Sequence, residues 1–205
     1  MDDKTTRIGV MGGTFDPVHN GHLVLAETVR EQFSLDEVLF VPAADPPHKL
    51  HREITPAAHR LAMVRLAVDT NPHFRVSTVE IDRGGISYTI DTIRELRRRS
   101  AEPVQFYFIT GADAIMEILS WKEVETLCSQ CFFVAATRPG TDGDKLTAFL
   151  ESLPASVREC IHLTRMPALE ISSTDIRRKV SDGRSIRYLL PETVRLYIGN
   201  EGLYV

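Results

Sequence analysis

The stretch Gly12–Leu23, GGTFDPVHNGHL, decides the fold. It follows a short apolar run, Ile8-Gly9-Val10-Met11, that predicts a buried strand, and leads into Leu23 to Phe33, which predicts a helix. Strand, glycine-rich turn and helix N-terminus together bring backbone N–H groups close to a phosphate. Gly12 and Gly13 remove the Cβ atoms that would hold the anion away, and the positive end of the helix dipole favours it. His19 and His22 flank Gly21 where the helix begins. A loop that only binds phosphate has no need of them. The Walker pattern G-x-x-x-x-G-K-[ST] does not occur in the chain, and Gly9, Gly12 and Gly13 have the wrong spacing for G-x-G-x-x-G. A nucleotide is expected, but not a dinucleotide held as a hydride carrier.

The histidine segment resembles the T/HxGH motif of the nucleotidylyltransferase superfamily, matched here by His19-Asn20-Gly21-His22. The preceding GGTFDP is similar to the nicotinate-nucleotide adenylyltransferases in particular. That resemblance implies a Rossmann-like α/β fold, a central mostly parallel sheet with helices on both faces. It also implies transfer of the adenylyl group of ATP to nicotinate mononucleotide, giving deamido-NAD and pyrophosphate in NAD biosynthesis. Gly12, Gly13, Thr14, Phe15, His19 and His22 would then lie against ATP.

Composition sets outer limits. At 205 residues the chain suits one α/β domain over 1–205, with a C-terminal helical part from about 171. The formal net charge of -4 argues against a nucleic-acid partner. No apolar run approaches membrane-spanning length, and the N-terminus has no apolar signal segment. Three cysteines, an odd number, suit a reducing cytoplasm. Cys128 and Cys131 have C-x-x-C spacing, but no second Cys/His pair at zinc spacing follows. They are expected to be structural, Cys131 opening an apolar strand over Phe132 to Ala136.

Glu37 to Pro42 is a second apolar strand, which implies a βαβ unit and a parallel sheet. Ligands of such sheets sit beyond the carboxyl ends of the strands. The loop Ala43 to His51 is therefore placed near the histidines; it carries Pro46-Pro47-His48-Lys49. By resemblance, the lysine of such a PPHK element contacts the triphosphate. Thr55-Pro56 opens a packing helix to about Thr70, with a stripe of Ala57, Leu61, Val64 and Val68. Phe74 to Ile81 predicts a strand, broken by Gly84-Gly85. Ser87-Tyr88-Thr89 precedes a helix to Arg99; its Ser and Thr read as ordinary helix caps, and the basic end of the helix complements the helix dipole. The resemblance assigns Tyr88 and Thr89 to nicotinate mononucleotide.

Val104 to Thr110 is a further buried strand ending in Gly111-Ala112-Asp113, where a carboxylate is equally well placed for ribose hydroxyls or to cap the following helix. By resemblance Gly111 and Asp113 serve ATP, and Trp121, after a short helix over Ala114 to Leu119, stacks on the pyridine ring. A turn-rich loop from Arg138 to Gly143, a helix to about Leu153 and a short strand at Ile161 to Leu163 carry no chemistry. Ile171-Ser172-Ser173-Thr174-Asp175-Ile176-Arg177 predicts a helix capped by Ser173 or Thr174, with Arg177 one turn in, a second anion site. It resembles the family's ISSTxIR motif, which implies phosphate contacts for Ser173, Thr174 and Arg177. Pro191 opens a final helix expected over a sheet edge.

No Ser, Cys or Lys sits in a nucleophile elbow. That fits the direct in-line transfer the resemblance implies, with His19, His22, Lys49 and Arg177 as the catalytic set. Mg²⁺ would ride on the ATP phosphates without a protein ligand cluster. The alternatives are a related enzyme acting on nicotinamide mononucleotide or phosphopantetheine, and a non-catalytic nucleotide sensor. A class I aminoacyl-tRNA synthetase would need a KMSKS-like loop and a tRNA-binding domain, which the sequence lacks. Self-association into a homo-oligomer is left open.

Overall fold

The computed structural model describes residues 5–45, 54–137, 142–167 and 169–205. Among the described residues six strands form one sheet: β1 (Thr6–Gly13), β2 (Glu37–Pro42), β3 (Phe74–Val76), β4 (Val104–Gly111), β5 (Cys131–Thr137) and β6 (Ile161–Arg165). Their order is β3-β2-β1-β4-β5-β6 and every pairing is parallel. This is a doubly wound sheet, and its order reverses between β1 and β4.

The strands are continuous apolar runs because both faces are covered. On one face α1 (Asn20–Gln32), α2 (Ala57–Val68), α9 (Ser173–Ser181) and α10 (Glu192–Asn200) pack Ala26, Val29, Val64, Ile176 and Ile198 around Phe40. The other face carries α3 (Val79–Arg83), α4 (Thr89–Arg99), α5 (Ala112–Ile115), α6 (Val124–Cys128), α7 (Gly143–Ser152) and α8 (Ala155–Arg158). Its core is built on Val79, Ile93, Ile115, Leu127 and Phe133. No helix among the described residues is long and apolar enough to cross a membrane.

Three expectations need correction. Phe74 to Ile81 is not one strand: β3 stops at Val76, whose partner is Phe40, and the chain turns into α3. The turn sends Val79 into the opposite core and leaves Glu80 buried. The packing stripe of α2 is rotated, so Arg60, Met63, Val64, Ala67 and Val68 are buried while Ala57 and Leu61 are partly exposed. The final helix packs chiefly on α2 rather than along a sheet edge; His59 Nδ1 and Tyr197 Oη share a hydrogen bond of 2.8 Å across that contact.

Two of the three cysteines are buried and Cys128 is half-buried. Cys131 and Cys160 are buried and their thiols donate to the carbonyls of Leu127 and Val157. Burial pushes the Cys131 thiol well above the ordinary range. The basic end of α4 is spent locally: Arg98 and Arg99 both pair with Glu95, and Arg97 donates to the Gln130 carbonyl.

Candidate active site

β1 delivers Gly12 and Gly13 beside Val41 and Pro42 of β2. A Cβ on Gly13 would stand 3.1 Å from the Phe15 ring, so glycine lets that ring close under the loop. Phe15 itself adopts φ 50°, a left-handed conformation costing about 1–2 kcal/mol for a residue with a side chain. Its ring is buried, meeting Phe40 at 5.8 Å and the edge of His22 at 5.1 Å between centroids.

α1 begins at Asn20, three residues ahead of the expected start, because His19 serves as its N-cap with φ -147° and ψ 169°. The His19 N–H donates to His22 Nδ1 at 3.2 Å. An imidazole accepting at Nδ1 carries its neutral-state proton on Nε2. The two rings stack, with centroids 3.7 Å apart and planes at 24°. His19 is buried and His22 half-buried. Gly21 is what allows this: a Cβ there would lie 3.0 Å from His19 Nδ1.

Distant segments fasten the loop. Arg177 Nη1 donates to the Asp16 carbonyl at 2.6 Å, and Ser173 Oγ donates to the Pro17 carbonyl at 2.8 Å. The Asp16 carboxylate is buried; it accepts from Tyr204 Oη at 2.8 Å and from the Thr55 N–H at 3.4 Å. At the helix start, Asn20 donates its N–H to the Leu189 carbonyl at 2.9 Å and its Nδ2–H to the Tyr188 carbonyl at 2.8 Å. Tyr188 and Leu189 therefore hold the helix that carries the histidines, a part that a motif reading leaves them without.

Arg60 closes the floor. Fully buried, it donates to the carbonyls of Thr55, Thr14 and Ala44 at 2.8, 2.9 and 3.2 Å, joining the loops that follow β1 and β2. Burial pulls its pKa down and the nearby Asp16 charge works the other way.

The cap of α9 is Ser172, not Ser173 or Thr174. Its hydroxyl accepts from the Asp175 N–H at 3.1 Å, while Ser173 is already helical and uses its own hydroxyl on Pro17. Thr174 is exposed and its Oγ1 lies 3.4 Å from Arg177 Nη2. Beside this cluster is a hollow lined by Asp16, Ile54, Thr55, Arg177 and Tyr204.

A second cavity, of about 320 Å³, opens at the switch point between β1 and β4. Gly12, Gly13 and Thr14 line one side of it; Tyr88, Thr89, Phe108 and Trp121 line the other. Trp121 stands edge-on to Phe108 and Phe133, with ring planes at 88° and 77° to theirs. It follows a 3₁₀ turn at Ile118–Ser120, because the expected helix over Ala114 to Leu119 breaks after Ile115. Thr110 and Ala114 of the lining flank Gly111 and Asp113; Asp113 is exposed in the first turn of α5.

The structure thus gathers His19, His22, Ser173 and Arg177 around one loop, and Tyr88, Thr89 and Trp121 around one cavity that shares Gly12, Gly13 and Thr14. His48 and Lys49 lie outside the described residues, as does Arg138. Among the described residues no group of three His, Cys, Asp or Glu side chains is placed to hold a metal ion. Asp16, Arg60, Glu80, Lys122 and Tyr204 were not singled out by sequence reasoning.

Residues 10–179 match the cytidylyltransferase-like family. A protein of Thermoanaerobacter sp. named "Probable nicotinate-nucleotide adenylyltransferase" is 53% identical over 98% of this chain and 96% of its own length. The chain belongs to this family. Within it, a protein of the same name from Moorella thermoacetica is 54% identical over 97% of this chain and 91% of its own. Among solved structures, Plasmodium falciparum nicotinic acid mononucleotide adenylyltransferase complexed with NaAD superposes with a TM-score of 0.75 over 97% of both chains. Its sequence identity is 22%, so that likeness speaks to the fold.

Proposed function

We propose that the chain transfers the adenylyl group of ATP to nicotinate mononucleotide, releasing pyrophosphate and forming deamido-NAD. The observation that carries this reading is the stacked His19–His22 pair at the start of α1, with Arg177 bonded to the backbone of the same loop. The adenylyltransferase relatives named above support the choice of substrates.

A phosphate oxygen of the mononucleotide attacks Pα of ATP. The new O–Pα bond forms as the Pα–O bond to the β-phosphate breaks, and pyrophosphate carries the electron pair away. No proton has to move and no covalent enzyme intermediate is needed. The protein's task is to align the two phosphates and offset charge that builds on their oxygens. His22 offers Nε2–H to the α/β bridge, with buried His19 stacked behind it. Arg177 has N–H donors beyond the two in use, and with Ser173, Thr174 and Lys49 it would hold the β- and γ-phosphates.

ATP would enter as its Mg²⁺ complex, the ion keeping most of its waters. The adenosine would lie along Gly12, Gly13, Thr14 and the backbone of Phe15, its ribose toward Gly111 and Asp113. The second cavity would take the mononucleotide, with Tyr88 and Thr89 at the ring and Trp121 as its aromatic wall. Pyrophosphate release from ATP and Mg²⁺, with and without nicotinate mononucleotide, tests the reading. Release that does not depend on the mononucleotide, or no release at all, rejects it.

A further inference from the structure

We propose that Lys122 is a specificity-determining residue: its ammonium supplies the positive charge that lets the aromatic cavity prefer a pyridine ring bearing a carboxylate over one bearing a carboxamide. The inference deepens the proposed function and rests on it.

Lys122 is the one Lys or Arg among the described residues lining the cavity, beside Tyr88, Thr89 and Trp121. Its Nζ stands 4.7 Å from the centre of the Tyr88 ring, a cation–π contact that sets the stem along the cavity wall. Asp91 fixes the head, with Oδ2 at 2.9 Å from Nζ. Asp91 also lies 3.9 Å from Arg94, which in turn pairs with Glu123 at 2.6 Å. This chain of alternating charges is neutral overall but polarised. Asp91, Arg94 and Glu123 are not in the cavity lining, and the cationic end, Lys122, is.

The rest of the lining makes that charge matter. Its other ionisable groups are Glu80 and Glu117. Glu80 is buried beneath the cavity and accepts from the hydroxyls of Thr92, at 2.5 Å, and Ser87; burial pushes its carboxyl up toward the neutral form. Glu117 is exposed. Without Lys122 the described lining offers an anionic ring no cationic side chain. A carboxamide carries no net charge and feels the ammonium only weakly. Lys122 is solvent-accessible, so its attraction is screened and worth about tenfold rather than a thousandfold in discrimination.

The test compares kcat/KM for nicotinate and nicotinamide mononucleotides, at saturating ATP and Mg²⁺ and low ionic strength, in wild type, Lys122→Met and Lys122→Arg. In Lys122→Met the preference for nicotinate should fall about tenfold, carried by KM rather than kcat. Lys122→Arg should retain it. Added salt should shrink the wild-type preference toward that of Lys122→Met. A Lys122 that merely supported the fold would move both substrates together; an unchanged ratio in Lys122→Met overturns the inference. Absence of transfer by wild type to either mononucleotide sinks the proposed function instead. Calorimetric binding of nicotinate mononucleotide to wild type and Lys122→Met then still judges Lys122: about tenfold weaker binding supports it and equal binding overturns it.

Discussion

Tyr204 donates its phenol to Asp16 Oδ1 at 2.8 Å, joining residues 188 positions apart and only three residues from His19. Burial raises the phenol's pKa, and the Asp16 charge and the shared hydrogen bond add to the rise. Tyr204→Phe leaves a buried carboxylate short of a donor and should cost about 1–3 kcal/mol, read from urea unfolding at pH 7. The pH dependence follows from the sign of the shift. A phenol whose folded pKa lies above its unfolded value of about 10 contributes stability fully below pH 10 and loses it as pH climbs further. The gap between wild type and Tyr204→Phe should narrow from about pH 10 upward; a constant gap would count against the bond.

Gly21→Ala should separate stability from activity. Alanine in a helix is favoured over glycine by about 1 kcal/mol. Here, though, the new methyl would sit 3.0 Å from His19 Nδ1 and 3.1 Å from Cε1, and the stacked ring must move. Melting temperature should hold or rise while kcat falls about tenfold or more, since displacing a positioned donor weakens transition-state contact. Unchanged kcat would mean that the position of His19 is not critical.

His22→Ala removes both the acceptor for the His19 N–H and the Nε2 donor. The first loss is that of one helix-cap bond, about 1 kcal/mol. The second should lower kcat by about 10²–10³, the usual effect of deleting one transition-state donor. Circular dichroism and steady-state turnover on the same preparation separate the two. Near wild-type turnover would remove His22 from the mechanism.

Arg177→Lys keeps the charge but not the fork. A single ammonium cannot hold the Asp16 carbonyl and a phosphate as a guanidinium does. Its kcat/KM for ATP should drop about 10–100-fold, and Arg177→Ala should drop further. If lysine restored full efficiency, charge alone would suffice and the tie to Asp16 would be incidental.

Much of the frame is legible in the residues. Buried parallel strands must be apolar throughout, so Val104–Thr110 and Glu37–Pro42 announce themselves. The histidine loop is legible as a phosphate approach from glycines between a strand and a helix start, and its closer reading comes from the resemblance to the HxGH motif. The failures have particular causes. Val76 through Ile81 shows plausible strand spacing, yet β3 pairs over three residues and Glu80 is claimed by the Thr92 hydroxyl on α4. Arg60 is charged and lies outside the expected stripe of Ala57, Leu61, Val64 and Val68; three backbone carbonyls make it core. The fastening of the loop is silent in sequence, because the acceptors on Pro17, Tyr188 and Leu189 are main-chain oxygens, which every residue type has. Lys122 depends on a neutral network assembled between α4, which carries Asp91 and Arg94, and the short segment that precedes α6.

The bonds from Ser173, Arg177, Tyr188, Leu189 and Tyr204 to the histidine loop have a bearing on biosynthesis. A ribosome making this chain exposes the glycine turn and both imidazoles early. The residues that lock them emerge some 150 positions later, many seconds at ordinary elongation rates. Nascent chains therefore lack these ties, and the histidine loop is fastened only on completion of the C-terminal helices.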